Sequence, residues 1–196
     1  QLLSLQSDKF FTVWPLFQKG KERVIQNPTG IRSKAHSRLY KFFSRIDKPA
    51  YLFSGKKGHS ALTNARHHKD GRFFLCADIS KFYPNCKRDK IHYFFSREME
   101  MPHDIAWLLT DVVTFQGHIP TGSILSQQLA FWINHETFEE IYRYSLSKNL
   151  RFSLYVDDLT FSSQTPIDTK THKYLDRLLN RIGLSLKKEK TRYIPA

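Results

Sequence analysis

The chain has 196 residues, 40% of them hydrophobic and 14% aromatic, which excludes a disordered chain and is enough for a folded core. No apolar run approaches the ~20 residues that cross a bilayer, so no membrane-spanning helix is expected. The two cysteines, Cys76 and Cys86, are too few for a disulfide framework. These features favour a cytoplasmic protein with reduced thiols.

The formal net charge is +13, and most of it lies near the amino terminus. Residues 1–72 contain 15 Lys and Arg against 4 acids, whereas residues 73–196 contain 16 against 14. A basic segment beside a nearly neutral remainder is typical of a protein that binds a polyanion. We expect this polyanion to be nucleic acid, while an anionic membrane surface and an ordinary solvated basic face stay open as alternatives.

The amino-terminal third is predicted to contain a strand, a basic helix and a loop. Residues 21–28 form a short strand that ends at Pro28, and residues 30–46 form an amphipathic helix. The predicted apolar face of this helix consists of Ile31, Ala35, Leu39, Phe42 and Ile46, and its basic residues are Arg32, Lys34, Arg38, Lys41 and Arg45. Residues 55–72 form a loop rich in glycine and lysine that leads into a short helix.

The remaining chain is predicted to combine strands with helices. A nearly continuous apolar run indicates a buried central strand that ends at Asp78. Two helices, a Pro/Gly turn with one long helix, a β-hairpin, another helix and a final strand follow, with the ranges 87–99, 102–113, 119–149, 152–163, 167–183 and 184–195. This order indicates an α+β fold, with a small antiparallel sheet and helices on one face.

The predicted hairpin has two adjacent acids at its tip. Phe152 and Leu154 alternate with polar residues before Asp157 and Asp158, and apolar residues alternate again after them. Asn-Gly or Asp-Gly would turn more easily, so the acids indicate either a solvated turn or a metal site. In the predicted sheet the end of the Asp78 strand lies beside this tip, so three carboxylates converge. Such oxygen ligands suit Mg²⁺, and two ions of this kind can catalyse phosphoryl transfer.

Six segments in order resemble the bacterial reverse transcriptases, the group that contains retron, group II intron and phage-defence enzymes. They are KGKERVIQNP, GHSALTNARHH, ADISKFYPN, IPTGSILSQ, YVDD and GLSLKKEKT. YVDD matches the catalytic hairpin of that family, ADISKFYPN the strand that supplies another metal-binding acid, and IPTGSILSQ the family's LPQGSPLSP turn and helix. The resemblance covers nearly the whole chain.

The resemblance implies the fingers and palm of a right-hand polymerase. Residues 1–72 correspond to a basic fingers-like region and residues 73–196 to a palm-like catalytic region, in which residues 88–117 pack with the fingers. The chain stops just past the last palm strand, where relatives continue into a thumb. We therefore expect the thumb to be absent and the chain to be a fragment, or one part of a split enzyme.

The resemblance also implies a role for individual residues. The implied ligands of two Mg²⁺ ions, which Mn²⁺ can replace, are Asp78, the backbone carbonyl of Ile79, Asp157 and Asp158. Lys190 aligns with a lysine that protonates the leaving pyrophosphate, although Lys187 and Lys188 stay open as alternatives. The implied contacts to the incoming triphosphate come from Arg23 with Lys19 or Lys21, and from Thr121 and Gly122.

Two positions imply deoxynucleotides as the substrate. In this family an aromatic residue at the position of Tyr83 excludes the sugar 2′-hydroxyl, and Val156 replaces a glycine that is usual in related RNA polymerases. Thr121 stands where the family usually has Gln, which leaves nucleotide choice and fidelity open. A core role for Tyr83 and an ordinary turn role for Gly122 are the structural alternatives.

The implied function is that of an RNA-directed DNA polymerase. It would add dNTPs to a primer on an RNA template, a structured non-coding RNA, in a bacterial retron or phage-defence role and without a membrane partner. Two other functions stay open: an RNA-binding module that has lost synthesis, and a nucleotidyltransferase of the same fold that needs no template. Template-dependent incorporation of a single dNTP would separate the three.

Overall fold

The structure, a computed structural model, describes residues 8–18 and 20–195. Its strands are β1 (Phe11–Gln18), β2 (Lys21–Pro28), β3 (Phe73–Asp78), β4 (Arg151–Tyr155), β5 (Asp158–Ser163) and β6 (Arg192–Ile194). Its α-helices are α1 (Gly30–Phe43), α2 (Ala61–His67), α3 (Phe82–Asn85), α4 (Arg88–Tyr93), α5 (His103–Val113), α6 (Ser126–Trp132), α7 (His135–Ser147) and α8 (Lys170–Asn180). None of these helices has the length and apolar character that crossing a membrane requires. The combination of helices with antiparallel sheets confirms the predicted α+β class.

The chain folds into two compact units. One consists of Gln1–Ile46 and Tyr83–Ile133, and the other of Asp47–Phe82 and Asn134–Ala196. The predicted boundary at residue 72 does not coincide with a boundary between these units, since residues 47–72 belong to the second. Residues 88–117 lie in the first unit with the basic amino-terminal part. Because the chain passes from one unit to the other three times, no single boundary in the sequence could separate them.

The first unit begins with a two-stranded ribbon in which β1 pairs antiparallel with β2. The predicted strand over residues 21–28 is confirmed. The strand β1 is absent from the sequence prediction, and it contains Pro15 opposite Val24. A proline normally argues against a strand, but it is tolerated where one edge of the strand has no neighbour to receive a hydrogen bond.

Helix α1 forms within the predicted range 30–46 but ends at Phe43, before Ile46, and the predicted apolar face is not the buried one. Ile31, Phe42 and Ile46 are 43%, 56% and 38% exposed, whereas Arg32 and His36 are each 1% exposed. The Arg32 guanidinium donates to the carbonyl oxygens of Asp111 at 3.0 Å and Thr114 at 2.9 Å, at the end of α5. His36 bonds the Val112 carbonyl and the Ser123 hydroxyl. These hydrogen bonds to residues distant in the sequence hold the side of α1 that carries Arg32 and His36 in the interior.

The single long helix predicted after the Pro/Gly turn, within residues 119–149, is two helices. Helix α6 ends at Trp132, and α7 starts after Asn134, whose backbone angles (φ −120°, ψ 5°) are not helical. Asn readily leaves helical geometry because its side chain competes for backbone hydrogen bonds. The apolar spacing continues across this break, so periodicity alone predicts one helix.

The second unit is built on a four-stranded antiparallel sheet with the order β4-β5-β3-β6. The predicted central strand and hairpin are confirmed as β3 and as β4 with β5. The final strand is shorter than predicted, because a 3₁₀ turn at Lys188–Lys190 precedes β6. Alternation along the strands gives the sheet one buried apolar face, which includes Leu75, Leu154 and Phe161, each at most 1% exposed. The acidic side chains belong to the opposite face.

A histidine anchors α2 to this opposite face of the sheet. The His68 side chain, 4% exposed, bonds the Ser153 hydroxyl and the Ser162 hydroxyl, each at 2.7 Å. Burial lowers the pKa of His68 to about 4, so the ring is neutral near pH 7. The segment GHSALTNARHH is thereby tied to both strands of the hairpin.

Candidate active site

The two strands that carry acids meet at their ends. Asp78, the last residue of β3, lies directly opposite Asp158, the first residue of β5. Asp157 precedes it in the turn, and its carbonyl oxygen accepts a hydrogen bond of 2.9 Å from the Ile79 backbone N–H. The three carboxylates that the sequence singles out therefore belong to one end of one sheet.

Burial and the neighbouring negative charges raise the pKa values of Asp157 and Asp158. Burial is the largest cause for Asp157, followed by repulsion from Asp158 and Asp78, and together they raise its pKa to about 6. Burial and the Asp78 charge also raise the pKa of Asp158. Ionised carboxylates with raised pKa values are unfavourably placed in the free protein, so a cation bound here would stabilise them.

Lys190 supplies a positive charge to this cluster. Its ammonium group forms an ion pair with the Asp78 carboxylate, which raises the pKa of the lysine. The backbone holds the same segment in place, since the Lys187 N–H donates to the Asp78 carbonyl oxygen at 2.8 Å. Of the three lysines in the KKEK segment, Lys190 is therefore the one whose side chain pairs with Asp78.

A cavity of about 590 Å³ opens beside the acids within the second unit. Its lining includes Asp78, Asp158, Lys190, Asn64, Thr160 and Arg192. The acids thus face an accessible space between α2 and the polar face of the sheet. Asn64 and Arg192 did not stand out in the sequence, because an Asn on a short helix and an Arg in a basic tail are common.

The residues present fit a divalent metal by their chemistry. In the described part of the chain, no three His, Cys, Asp or Glu side chains are gathered closely enough to hold an ion. The donors are nevertheless carboxylate oxygens, which hard cations such as Mg²⁺ prefer. The pKa values of Asp157 and Asp158 are raised first by burial and then by neighbouring carboxylates, and a bound cation would offset both effects. Asp78 forms an ion pair with Lys190, so a bound metal ion would replace the lysine ammonium group as the counter-charge of Asp78.

The predicted triphosphate contacts lie in the first unit. Lys19 is outside the described residues, and the side chain of Lys21 is likewise not described. Arg23 is exposed on β2. These residues belong to the ribbon, and their roles stay predictions.

The structure shows a packing requirement for glycine at position 122, which is separate from the predicted close approach to a nucleotide. A Cβ at this position would lie 2.8 Å from the Ile25 side chain and 2.9 Å from the Gln26 carbonyl oxygen. The Gly122 N–H also donates to that oxygen at 3.0 Å, and the Thr121 hydroxyl donates to the Val24 carbonyl at 2.6 Å. The turn before α6 is therefore fastened to β2, and any larger residue would push the two apart.

Tyr83 is half-buried in α3, in the first unit. It is therefore neither a fully buried core aromatic nor a freely exposed ring. Its role in sugar selection stays a prediction.

The fold is one that solved telomerase structures share. The chain superimposes on the apo telomerase of Candida tropicalis, truncated from the C-terminal domain, with a TM-score of 0.67 at 10% identity, covering 97% of this chain and 51% of that one. The telomerase of Candida albicans, in complex with a TWJ fragment of telomeric RNA, gives a TM-score of 0.64 at 9% identity, covering 94% and 42%. At these identities the likeness shows the fold alone, and it agrees with a fingers-and-palm architecture.

Sequence similarity defines the family. Residues 15–195 match the reverse transcriptase (RNA-dependent DNA polymerase) family, and the chain belongs to it. It is 30% identical over 179 residues to the retron Se72 reverse transcriptase of Salmonella heidelberg (strain 579083-10), covering 87% of this chain and 46% of that protein. It is 25% identical over 196 residues to the retron Ec86 reverse transcriptase of Escherichia coli, covering 97% and 61%. The predicted resemblance to bacterial, retron-type enzymes is confirmed, and the chain spans about half the length of these curated relatives.

Proposed function

We propose that this chain forms the nucleotide-adding part of an RNA-directed DNA polymerase of the retron type. The observation that carries the proposal is the register of β3 and β5, which sets Asp78 opposite Asp158 with Asp157 beside them. Three acids at one sheet end, next to an open cavity, are what a two-metal phosphoryl transfer needs from a protein. The curated relatives that the chain resembles are named retron reverse transcriptases.

Asp78, Asp157 and Asp158, with the Ile79 carbonyl, would hold two Mg²⁺ ions or Mn²⁺ in their place. When bound, such ions stabilise the attacking primer oxygen and the leaving oxygen of an in-line displacement. The side chains contribute by being held in place before the substrate arrives, since they extend from paired strands. Their raised pKa values favour binding, because a cation removes the repulsion between them.

Lys190 would be the proton donor for the leaving pyrophosphate. Its pairing with Asp78 raises its pKa, so the ammonium form is present at neutral pH. The lysine side chain is 44% exposed and lines the cavity beside Asp78. It holds a proton at Nζ beside the space where the triphosphate would lie.

The first unit would bind the nucleotide. Arg23, with Lys19 or Lys21, would grip the triphosphate as basic side chains do with phosphates. Thr121 and Gly122 would contribute through the turn that they fasten to β2. Tyr83 would exclude the 2′-hydroxyl. Tyr83→Val should therefore raise the use of NTPs relative to dNTPs. An unchanged ratio would mean that Tyr83 does not contact the sugar.

The RNA template and its primer would be the macromolecular partners. The excess of Lys and Arg in residues 1–72 supports this choice, because phosphate contacts dominate nucleic-acid affinity. A structured non-coding RNA and a role in retron DNA synthesis or phage defence are the finer proposals.

The test is incorporation of a single dNTP on an RNA template. Asp157→Asn should abolish Mg²⁺-dependent incorporation and leave RNA binding nearly unchanged, because the basic residues supply most of the affinity. The matched control is Asp47→Asn, an exposed aspartate of the same unit, which should keep the wild-type rate. Wild-type activity in Asp157→Asn would overturn the metal assignment, and incorporation without template would favour the nucleotidyltransferase alternative.

A further inference from the structure

The turn that carries the acids has an unfavourable backbone conformation. Tyr155 pairs with Asp158, so Val156 and Asp157 form a two-residue hairpin turn. Val156 has φ +60°, in the left-handed region. A β-branched residue is a genuine outlier there, and hairpin turns with a positive φ at this position normally use glycine. The surroundings must therefore hold Val156 in a conformation that its own side chain disfavours.

Ser54 holds this residue from the side of β4. Its hydroxyl accepts a hydrogen bond of 3.0 Å from the Val156 backbone N–H. Ser54 is 5% exposed, so water has little access to replace that bond. Without the hydroxyl, the Val156 N–H would lose its hydrogen-bond partner at a residue whose positive φ is unfavourable for valine.

Ser54 is itself held firmly. The Phe53 N–H donates to the Leu154 carbonyl at 2.9 Å, and the Leu154 N–H donates to the Tyr51 carbonyl at 2.8 Å. The segment 51–54 thus runs along the outer edge of β4 and is buried throughout. The Tyr51 hydroxyl adds a bond of 2.8 Å to Glu139 on α7. The hydroxyl of Ser54 is therefore presented by a fixed segment, not by a loose loop.

The turn is consequently fastened on both sides. Ser54 binds the N–H of Val156 from the β4 side, and the Ile79 N–H binds the carbonyl of Asp157 from the β3 side. Between these two bonds lies the peptide that joins Val156 to Asp157. Its orientation sets the direction in which the Asp157 side chain leaves the backbone.

We propose that Ser54 is a positioning residue of the polymerase site. It holds Val156 in its left-handed conformation, and this orients the side chains of Asp157 and Asp158 for metal binding. This inference rests on the proposed function. The role assigned to the Ser54 hydroxyl is to act through the backbone of Val156, to which it is hydrogen-bonded. Loss of the hydroxyl lets Val156 relax towards negative φ and turns Asp157 away from its working position.

The first test compares Ser54→Ala, Val156→Gly and the double variant in single-dNTP incorporation. Ser54→Ala should lower kcat by about tenfold to a hundredfold, since a displacement of ~1 Å can cost about a hundredfold. The KM for dNTP and the affinity for RNA should stay as in the wild type. In the Val156→Gly background, Ser54→Ala should cost less than about threefold, because glycine adopts positive φ without strain.

The matched control is Ser163→Ala, at the other end of β5. The Ser163 hydroxyl also accepts a backbone N–H, that of Thr165 at 3.1 Å, but lies away from the turn. This variant should keep the wild-type kcat. A wild-type kcat in Ser54→Ala would overturn the proposal. Equal losses from Ser54→Ala in the wild-type and Val156→Gly backgrounds would also overturn it, since a general loss of stability predicts no such rescue.

A second measurement does not depend on activity. Hydrogen exchange of the Val156 amide, followed by NMR, should be slow in the wild type and at least about tenfold faster in Ser54→Ala, because the buried partner is gone. Ser163→Ala should leave that amide unchanged. If the wild type incorporates no dNTP, the proposed function fails, yet this exchange still decides whether Ser54 holds the turn; fast exchange of Val156 in the wild type would show that it does not.

Discussion

The two units both bury charged groups, and they compensate for them in different ways. In the first unit Arg32 is 1% exposed, donates to two main-chain carbonyls and lies 4.9 Å from the centre of the Phe11 ring. In the second unit Asp157 and Asp158 repel each other and Asp78, and Lys190 pairs with only one of them. A charge with permanent partners stabilises the fold, whereas a cluster without enough counter-charge would be stabilised by a bound cation, as the proposed metal role requires.

The same distinction applies within helix α1. Arg32 points inwards, while Lys34, Arg38 and Lys41 are exposed on the same helix. Residues 23–46 contain no acid that could neutralise these exposed charges. The basic residues of one helix therefore divide into a structural group and a group open to a polyanion.

The largest effect is expected from removing the buried charge of the first unit. Arg32→Met should lower the free energy of unfolding by at least about 3 kcal/mol, because one buried and one partly buried carbonyl lose their donor. Lys34→Met, two residues away and exposed, should change it by less than about 0.5 kcal/mol. Urea unfolding measures both. Equal effects of the two variants would mean that Arg32 is not structural.

Removing a charge from the acidic cluster should have the opposite sign. The Asp157 pKa is about 6 in the folded protein, against an ordinary value of 3.8, so folding favours the protonated form. Its contribution is fully favourable below about pH 4 and is lost as the pH rises through about 6. With a chelator present, Asp157→Asn should therefore be more stable than the wild type at pH 7, by about 2 kcal/mol after a discount for partial exposure.

The pH dependence of this difference is the sharper measurement. The gap between Asp157→Asn and the wild type should close as the pH falls from about 6 to about 4. Burial lowers the pKa of His36 to about 4, so its favourable contribution is lost as the pH falls, but this occurs in both proteins and cancels in the difference. A gap that does not change with pH would contradict a raised pKa at Asp157.

A smaller effect is expected from the exposed charges of α1. Replacing Lys34, Arg38 and Lys41 together by Ala should weaken RNA binding about tenfold and reduce the slope of log affinity against log salt by about 2, since each contact to single-stranded RNA contributes about 0.7. The measurement is a salt titration of RNA affinity. The triple variant should leave the free energy of unfolding nearly unchanged, in contrast to Arg32→Met.

Helix α8 provides the matched control. Lys170, Lys173 and Arg177 are equally exposed and similarly spaced, but Asp176 lies among them. Their replacement by Ala should leave the salt dependence close to that of the wild type. An equal loss from both triple variants would mean that RNA affinity follows total charge, with no specific role for α1.

The acids of the site could be identified from the sequence because their chemistry is local. Two adjacent carboxylates between alternating apolar residues already indicate a hairpin tip. Because side chains alternate between the two faces of a strand, the apolar positions define which face of the hairpin is buried. Asp78 ends a continuous apolar run, which marks a buried strand. The family resemblance then assigned the remaining segments in order. For these reasons β3, the hairpin and the pairing of Asp78 with Asp158 agree with the prediction.

Only the tertiary structure decided which polar groups are buried and what holds them. Arg32 meets Asp111 across 79 positions of sequence, Ser54 meets Val156 across 102, and Lys190 meets Asp78 across 112. A buried polar side chain is stable only with a partner, and the sequence pattern around each residue contains no information about a partner so distant. The apolar spacing of α1 therefore predicted the helix correctly and its buried face wrongly. By itself the sequence determined where the acids of the site lie, whereas the fold decided how they are oriented.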